Sequence, residues 1–362
     1  MSTPFEAASL HYAGLCGDTN IYELESQRLL NRYFILSGPG SRRLLAFPEV
    51  IGFPCYTALV PETVAALSHL FPSGQSGDID ILTILRGGLN YPLEEACFRT
   101  GIPVRNMHFV SCERVIKDHV ITGLEIHYEK ISPAPDRILA IGDILATGDT
   151  LRLCLEHIAS AFHRGGGSIR RILFFTIGGT RAFALLEELT ERFRTMFPGF
   201  EGFDCFFYEG MFTVYTDKGV SGINVPNIDF GWKGGLVSPE FRRFIMDNPD
   251  ALFEKCIIYD GGARRYEIPI HFAEVLEYWE GILSRAEKID PLALLSEKLG
   301  YDGPISFDRW LEVTGFGNLP VEGLHALWAR EQDLFRTPVD LAALAERRIQ
   351  AITKLQNQYG KA

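Results

Sequence analysis

The sequence predicts an α/β fold: a mostly parallel sheet with helices on both faces, followed by a mostly helical C-terminal extension. Three observations carry this. The apolar runs at 78–85 (DIDILTIL), 138–141 (ILAI) and 169–177 (IRRILFFTI) are too short for helices and read as strands buried on both faces. Each runs into a glycine-containing turn and then a stretch of helical spacing, at 92–100, 151–164 and 181–194. Strand and helix in alternation build a parallel sheet with both faces covered. Residues 236–362 repeat helical spacing instead.

In chain order, residues 20–34 (NIYELESQRLLNRYF) show helical periodicity, and Ser37-Gly38-Pro39-Gly40-Ser41 is a turn signal. Residues 62–71 (ETVAALSHLF) predict an amphipathic helix, ended by Pro72-Ser73-Gly74. After the strand at 78–85 and Arg86-Gly87-Gly88-Leu89 come the helix at 92–100 and a strand over Val104–Cys112. Alternation through Ile121–Glu129 predicts that the chain returns as a long hairpin reaching Ile131. Gly165-Gly166-Gly167 ends the helix at 151–164. Residues 203–215 are aromatic and β-prone, whereas 222–235 (GINVPNIDFGWKGG) is rich in turn formers and reads as a loop. Beyond it, helical spacing covers 241–246, 272–283, 291–299, 321–335 and 341–358. Trp279, Trp310 and Trp328 are expected to fill helix interfaces, and the strand-and-turn at 256–262 has no assigned role. The expected organisation is an N-terminal segment (1–60) packing on the core, an α/β domain (61–235) and the extension (236–362), which packs on the core or makes an oligomer contact.

With 46% hydrophobic and 22% charged residues, the 362-residue chain can bury a sizeable core. A formal charge of −11 argues against a nonspecific nucleic-acid binder. Seven cysteines, odd in number and without a Cys-x-x-Cys pair, support neither a disulfide framework nor a zinc site. The first thirty residues lack a basic-then-apolar pattern and no apolar run reaches eighteen residues. A cytoplasmic protein without a membrane anchor is expected.

The chemistry concentrates in Ile138–Leu151, ILAIGDILATGDTL. Gly142 and Asp143 follow the strand at its carboxyl end, where ligands sit in open α/β sheets. Ala146-Thr147-Gly148-Asp149-Thr150 then leads into a helix, whose amino terminus offers unpaired N–H groups and partial positive charge to a phosphate. Thr147 and Thr150 add hydroxyls, and Asp143 offers a carboxylate to sugar hydroxyls. Arg86-Gly87-Gly88 repeats the arrangement after an earlier strand, with a guanidinium fork for phosphate oxygens.

This strand–acid–loop stretch resembles the PRPP-binding motif of the type I phosphoribosyltransferases, and ILRGGL (84–89) is similar to the ILRAGL of uracil phosphoribosyltransferases, the closest in layout. The resemblance covers about residues 60–235. It implies a Mg²⁺-dependent transfer of the 5-phosphoribosyl group from PRPP to a nucleobase or similar nitrogen acceptor, with release of pyrophosphate. By the same resemblance Ala146, Thr147, Gly148, Asp149 and Thr150 hold the 5′-phosphate. Arg86, Gly87 and Gly88 hold pyrophosphate, with Arg114, Lys117 and Lys130 as basic candidates from the hairpin. Asp143 and Arg86 are the catalytic candidates, and Asp143 is also the metal ligand. Val225, Asn227 and Asp229 align with the base-recognition segment. A small-molecule acceptor and a homo-oligomer are expected, with no nucleic-acid or membrane partner.

The sequence departs from the pattern at four places. Gly142 replaces the first of two acids, Asn227 replaces a glycine, and Ala146 stands where hypoxanthine-type enzymes carry an acid. Asp149 puts a carboxylate in the phosphate loop, where two like charges ~5 Å apart cost roughly 3 kcal/mol at an effective dielectric of about 20. Asp149 therefore turns outward, for instance to cap the helix, or the bound group carries less charge. Two alternatives stay open: a non-catalytic PRPP or nucleotide sensor of the same fold, and a sugar-phosphate enzyme with another leaving group.

Overall fold

The computed structural model describes residues 9–25, 29–72, 79–85, 88–117, 120–145, 148–215, 219–223, 229–255 and 267–359. Its strands are β1 (Ser9–Cys16), β2 (Thr19–Glu25), β3 (Arg32–Ser37), β4 (Ile79–Leu85), β5 (Val104–Lys117), β6 (Val120–Lys130), β7 (Arg137–Leu145), β8 (Ile169–Gly179), β9 (Gly202–Tyr215) and β10 (Asp229–Val237). They form one sheet in the order β1-β2-β3-β9-β8-β7-β4-β5-β6, with β10 also paired to β9. From β3 to β5 every neighbouring pair is parallel, as expected; β1, β2, β6 and β10 pair antiparallel. The central strands carry Ile79, Ile81, Leu82, Ile138–Ile141 and Ile172–Phe175 wholly inside, which is why they read as unbroken apolar runs.

The helices of the core are α1 (Pro39–Ala46), α2 (Phe53–Thr57), α3 (Val60–Leu70), α4 (Tyr91–Arg99), α5 (Asp149–Arg164) and α6 (Ala182–Met196). From β4 the chain steps through α4 to β5 on one side. From β7 it steps through α5 and α6 to β8 and β9 on the other. Right-handed crossovers in opposite directions put α4 and α5 on opposite faces. The order therefore reverses between the adjacent strands β4 and β7, the switch point at which such sheets open a crevice outside the strands' carboxyl ends.

Two elements differ from expectation. Residues 20–34, expected as a helix, supply β2 and β3 instead. Ile21, Tyr22, Leu24 and Tyr33–Leu36 are all buried, and a strand covered on both faces has no period of two to betray it. Part of the expected loop at 222–235 is strand: β10 pairs Gly231 with Thr213 and Leu236 with Met211, with a bulge between. That bulge falls on glycines and breaks the alternation. Residues 224–228 and 256–266 lie outside the described residues.

Glu209 joins the two halves of β9. Its φ of 62° costs about 1–2 kcal/mol for a side chain with a Cβ, and it marks the point where β9 stops pairing with β3 and starts pairing with β10. The buried carboxylate accepts from Ser37 Oγ (2.6 Å), Ser41 Oγ (2.6 Å), Ser238 Oγ (2.7 Å) and the Gly38 N–H (2.8 Å). These donors tie the end of β3, the start of α1 and the residue after β10 to one group. Glu62 of α3, also buried, accepts the Ser41 N–H at 2.9 Å.

The helical region comprises α7 (Pro239–Asp247), α8 (Ile268–Arg285), α9 (Pro291–Leu299), α10 (Phe307–Thr314), α11 (Leu324–Leu334) and α12 (Leu341–Tyr359). Helix α10 has no counterpart among the sequence expectations; it is eight residues long, capped by Ser306 and closed by Gly315 in the left-handed conformation. Buried Glu331 accepts from Arg242 (3.0 Å), Tyr301 OH (2.8 Å) and Trp310 Nε1 (2.8 Å), and Arg242 lies 4.6 Å over the Trp232 ring of β10. Trp279 Nε1 donates to Glu254 at 2.9 Å and Trp328 Nε1 to the Ile305 carbonyl at 2.9 Å. The three tryptophans fill helix interfaces, as expected. The region also grips the core: His271 meets the Pro48 carbonyl at 2.7 Å and Arg348 meets Glu49 at 2.6 Å.

Burial, and then the Glu209 charge, raises Glu62 from 4.5 to about 8; burial raises Glu209 to about 7 against its hydroxyl donors and Arg42. The folded chain thus holds protons that the unfolded chain releases above about pH 4.5. Stability from this pair is complete below that pH and is lost as pH rises through about 8. Denaturant unfolding across this range is expected to show the decline, and Glu62→Gln to flatten it. A wild-type profile without the decline contradicts the assignment.

Candidate functional site

Asp143 lies near the carboxyl end of β7, half-buried, and its Oδ1 accepts the Ile144 N–H at 2.8 Å. In register it faces Thr176 of β8, whose hydroxyl is fully buried with no hydrogen-bond partner among the described residues. The row next to it runs Phe34–Phe206–Phe175–Gly142 on the other face, its three aromatic rings stacked at 5.0 and 4.9 Å.

The row ends in glycine because the turn after β4 lies against it. Residues 88–90 form a single 3-10 turn leading into α4. A Cβ at Gly142 would stand 2.1 Å from the Leu89 carbonyl oxygen and 2.8 Å from the Asn90 nitrogen. Asn90 Oδ1 accepts the Gly142 N–H at 2.9 Å. The site thus has one carboxylate at the strand end, since the backbone of the neighbouring turn fills the space of a second. The same contact fastens the turn after β4 to β7, so the two glycine-bearing segments read from sequence meet at the switch point.

Gly148 precedes α5 with φ of 86°, a left-handed conformation that glycine adopts without a Cβ penalty. It is the N-cap of α5, without a side-chain cap bond, and Asp149 is the first helical residue. Asp149 is therefore not the capping residue; it sits in the first turn, half-buried, where the helix dipole favours an acid. Thr150 follows, also half-buried.

Of the remaining candidates, Gly88 is buried in the 3-10 turn, while Arg86, Gly87, Ala146, Thr147, Val225 and Asn227 lie outside the described residues. The hairpin β5–β6 is as expected. The last pair of β5 with β4 is Ser111–Leu85, so the backbone at Arg114 and Lys117 extends past the sheet's carboxyl edge; their side chains are outside the described residues. Lys130 pairs with Phe109 lower on the outer edge, exposed, and is not brought to the site. Asp229 begins β10 opposite Tyr215, its side chain also outside the described residues.

Sequence reading misses Asn90, which binds the Gly142 N–H, and two features beside Asp143: Thr176 and the thiol pair Cys112–Cys154. Cys112 Sγ on β5 and Cys154 Sγ on α5 are 3.2 Å apart. The hydrogen bond between them pulls Cys112 below the usual thiol range and, with burial, pushes Cys154 far above it; the Asp143 charge disfavours ionisation of both. No spacing motif joins residues this far apart in sequence.

No family model matches the chain, and no curated protein matches it. Among solved structures, a hypoxanthine phosphoribosyltransferase from Staphylococcus aureus is similar at 18% identity over 33% of this chain, with a TM-score of 0.27. The chain spans 62% of that enzyme's length. The AQ2163 protein of Aquifex aeolicus matches at 15% identity over 51% of this chain and 84% of its own, with a TM-score of 0.33. A purine phosphoribosyltransferase from Pyrococcus horikoshii matches at 18% over 33% and 72%, with a TM-score of 0.25. These likenesses are local and weak; the functional reading rests on the strand order and the site geometry. Among the described residues no helix is long and apolar enough to cross a membrane.

Gly142→Ala is expected to cost about 1–3 kcal/mol by overpacking against the Leu89 backbone. Asn90→Ala is expected to cost a similar amount, about 1–3 kcal/mol, by leaving the Gly142 N–H unpaired. Denaturant midpoints measure both; a Gly142→Ala variant as stable as wild type contradicts the packing described.

Proposed function

We propose that this chain is a Mg²⁺-dependent phosphoribosyltransferase, transferring the 5-phosphoribosyl group of PRPP to a nucleobase or similar nitrogen acceptor with release of pyrophosphate. One observation carries the reading. The strands that bear the two phosphate-type turns, β4 and β7, are the neighbours flanking the switch point, and Asn90 binds one to the other.

In this reading the α5 amino terminus, entered through Ala146-Thr147-Gly148, takes the 5′-phosphate on its unpaired N–H groups. Asp143 accepts hydrogen bonds from ribose hydroxyls. Arg86 with Gly87 and Gly88 takes the pyrophosphate, helped by Arg114 and Lys117 from the overhanging hairpin. Together they hold ribose and leaving group in line for a ring nitrogen approaching C1′ from the opposite face, which is catalysis by positioning and charge stabilisation. Val225, Asn227 and Asp229 are assigned to the acceptor.

The donor set fits Mg²⁺ in a reduced form. The ion keeps several waters and takes one or two carboxylates plus substrate oxygens, and Asp143 supplies the one carboxylate that the packing at Gly142 allows. Bound at Asp143, Mg²⁺ would supply positive charge to offset the negative charge of the pyrophosphate. The missing second acid also favours the alternative, a PRPP-binding regulatory protein that does not turn over. The proposal includes a cytoplasmic homo-oligomer, with the catalytic residues within 61–235 on a sheet that β1–β3 extend.

Calorimetry with PRPP, with and without Mg²⁺, tests the proposal. Binding is expected to need the metal and to weaken at least about tenfold, roughly 1.4 kcal/mol, in Asp143→Ala. Absence of binding under every condition contradicts both the enzyme and the sensor. Metal-dependent binding without pyrophosphate release for any nucleobase selects the sensor.

A further inference from the structure

The thiols of Cys112 and Cys154 come from elements that the ligand reading uses separately. Cys112 is the first residue of β5 beyond its last pair with β4, at the root of the overhanging hairpin. The register against β6 shifts between Ser111 and Cys112, so the strand bends there. Cys154 sits in the second turn of α5, on the buried face with Leu151, Leu155 and Ile158. Cys112 is half-buried, Cys154 is fully buried, and both are free thiols. Their sulfurs are 3.2 Å apart, whereas a disulfide needs about 2.05 Å. A displacement of about an ångström would bring them to bonding distance.

We propose that Cys112 and Cys154 form a reversible dithiol–disulfide pair, oxidised by a low-molecular-weight disulfide, that locks the hairpin root to α5. The accessible Cys112, as thiolate, attacks one sulfur of the small disulfide and releases one small thiol, its own proton passing to that leaving sulfur. Cys154 then attacks Cys112 Sγ in the mixed disulfide. The second small thiol leaves with the Cys154 proton, so two protein thiols and one small disulfide become one protein disulfide and two small thiols. The bond draws α5 toward β5 beside Asp143. It changes the spacing between the helix end assigned to the 5′-phosphate and the hairpin assigned to the pyrophosphate. That consequence for PRPP rests on the function proposed above; the bond itself does not.

The test incubates the full chain with oxidised glutathione, denatures it, alkylates free thiols and maps peptides by mass spectrometry. The expected product links the Cys112 and Cys154 peptides, leaves both thiols unalkylated, and reverts with reductant. Cys154→Ala is expected to stop at a glutathione adduct on Cys112, and Cys112→Ser to leave Cys154 alkylated. Alkylation of both residues in the oxidised wild type, or linkage only to other cysteines, overturns the pair. Because the mass readout uses wild type and needs no ligand, a failure to bind PRPP counts against the proposed function and not against the pair. Where PRPP binds, the oxidised form is expected to bind about tenfold more weakly; equal affinity in the two forms overturns the lock.

Discussion

A buried amide oxygen, Asn90 Oδ1, takes the Gly142 N–H, and a glycine at 142 is what lets the 88–90 backbone lie close enough for it to do so. The geometry of the site depends on this approach. β4 and β7 are paired as far as Leu82 and Ile141; beyond that pair, this contact is what holds the 88–90 turn against the end of β7. The approach also excludes an acid at 142, because the space of its Cβ belongs to the Leu89 carbonyl. The site gains a rigid frame and gives up a carboxylate in one step.

Buried carboxylates perform a similar joining task elsewhere. Glu209 holds β3, α1 and the end of β10 together at the kink of β9, and Glu331 holds α7, α10 and α11 through Arg242, Trp310 and Tyr301. A buried charge is costly unless its lone pairs are filled, and each of these oxygens meets donors from elements far apart in sequence. The result is a specific relative placement of β10 and the helical region against the sheet.

Legibility in the sequence follows physical separability. β4, β7 and β8 are readable because strands buried on both faces are apolar throughout and end at turns. α5, α6 and the long C-terminal helices are readable because one face is apolar at helical spacing. β2 and β3 are misread because Ile21, Tyr22 and Leu24 imitate one turn of a helix, and nothing local marks pairing with β9. The position of Asp143 at a strand end is legible; its partners are not. Thr176 and the Cys112–Cys154 pair reach it, and Asn90 reaches its neighbour Gly142, through strand order, which is long-range information. Gly142, a missing acid when set against the phosphoribosyltransferase motif that the stretch resembles, is explained by the turn packed against it.

In the proposed function a ribose phosphate ligand lies across the switch point between β4 and β7. Hydrogen exchange of the full chain, with and without PRPP and Mg²⁺, reads this placement at the backbone. The expected result is slowed exchange in the turn after β4 and in the loop and first turn leading into α5, with α8 to α12 unchanged. Slowed exchange confined to the helical region, or none in either turn despite saturating ligand, would contradict it.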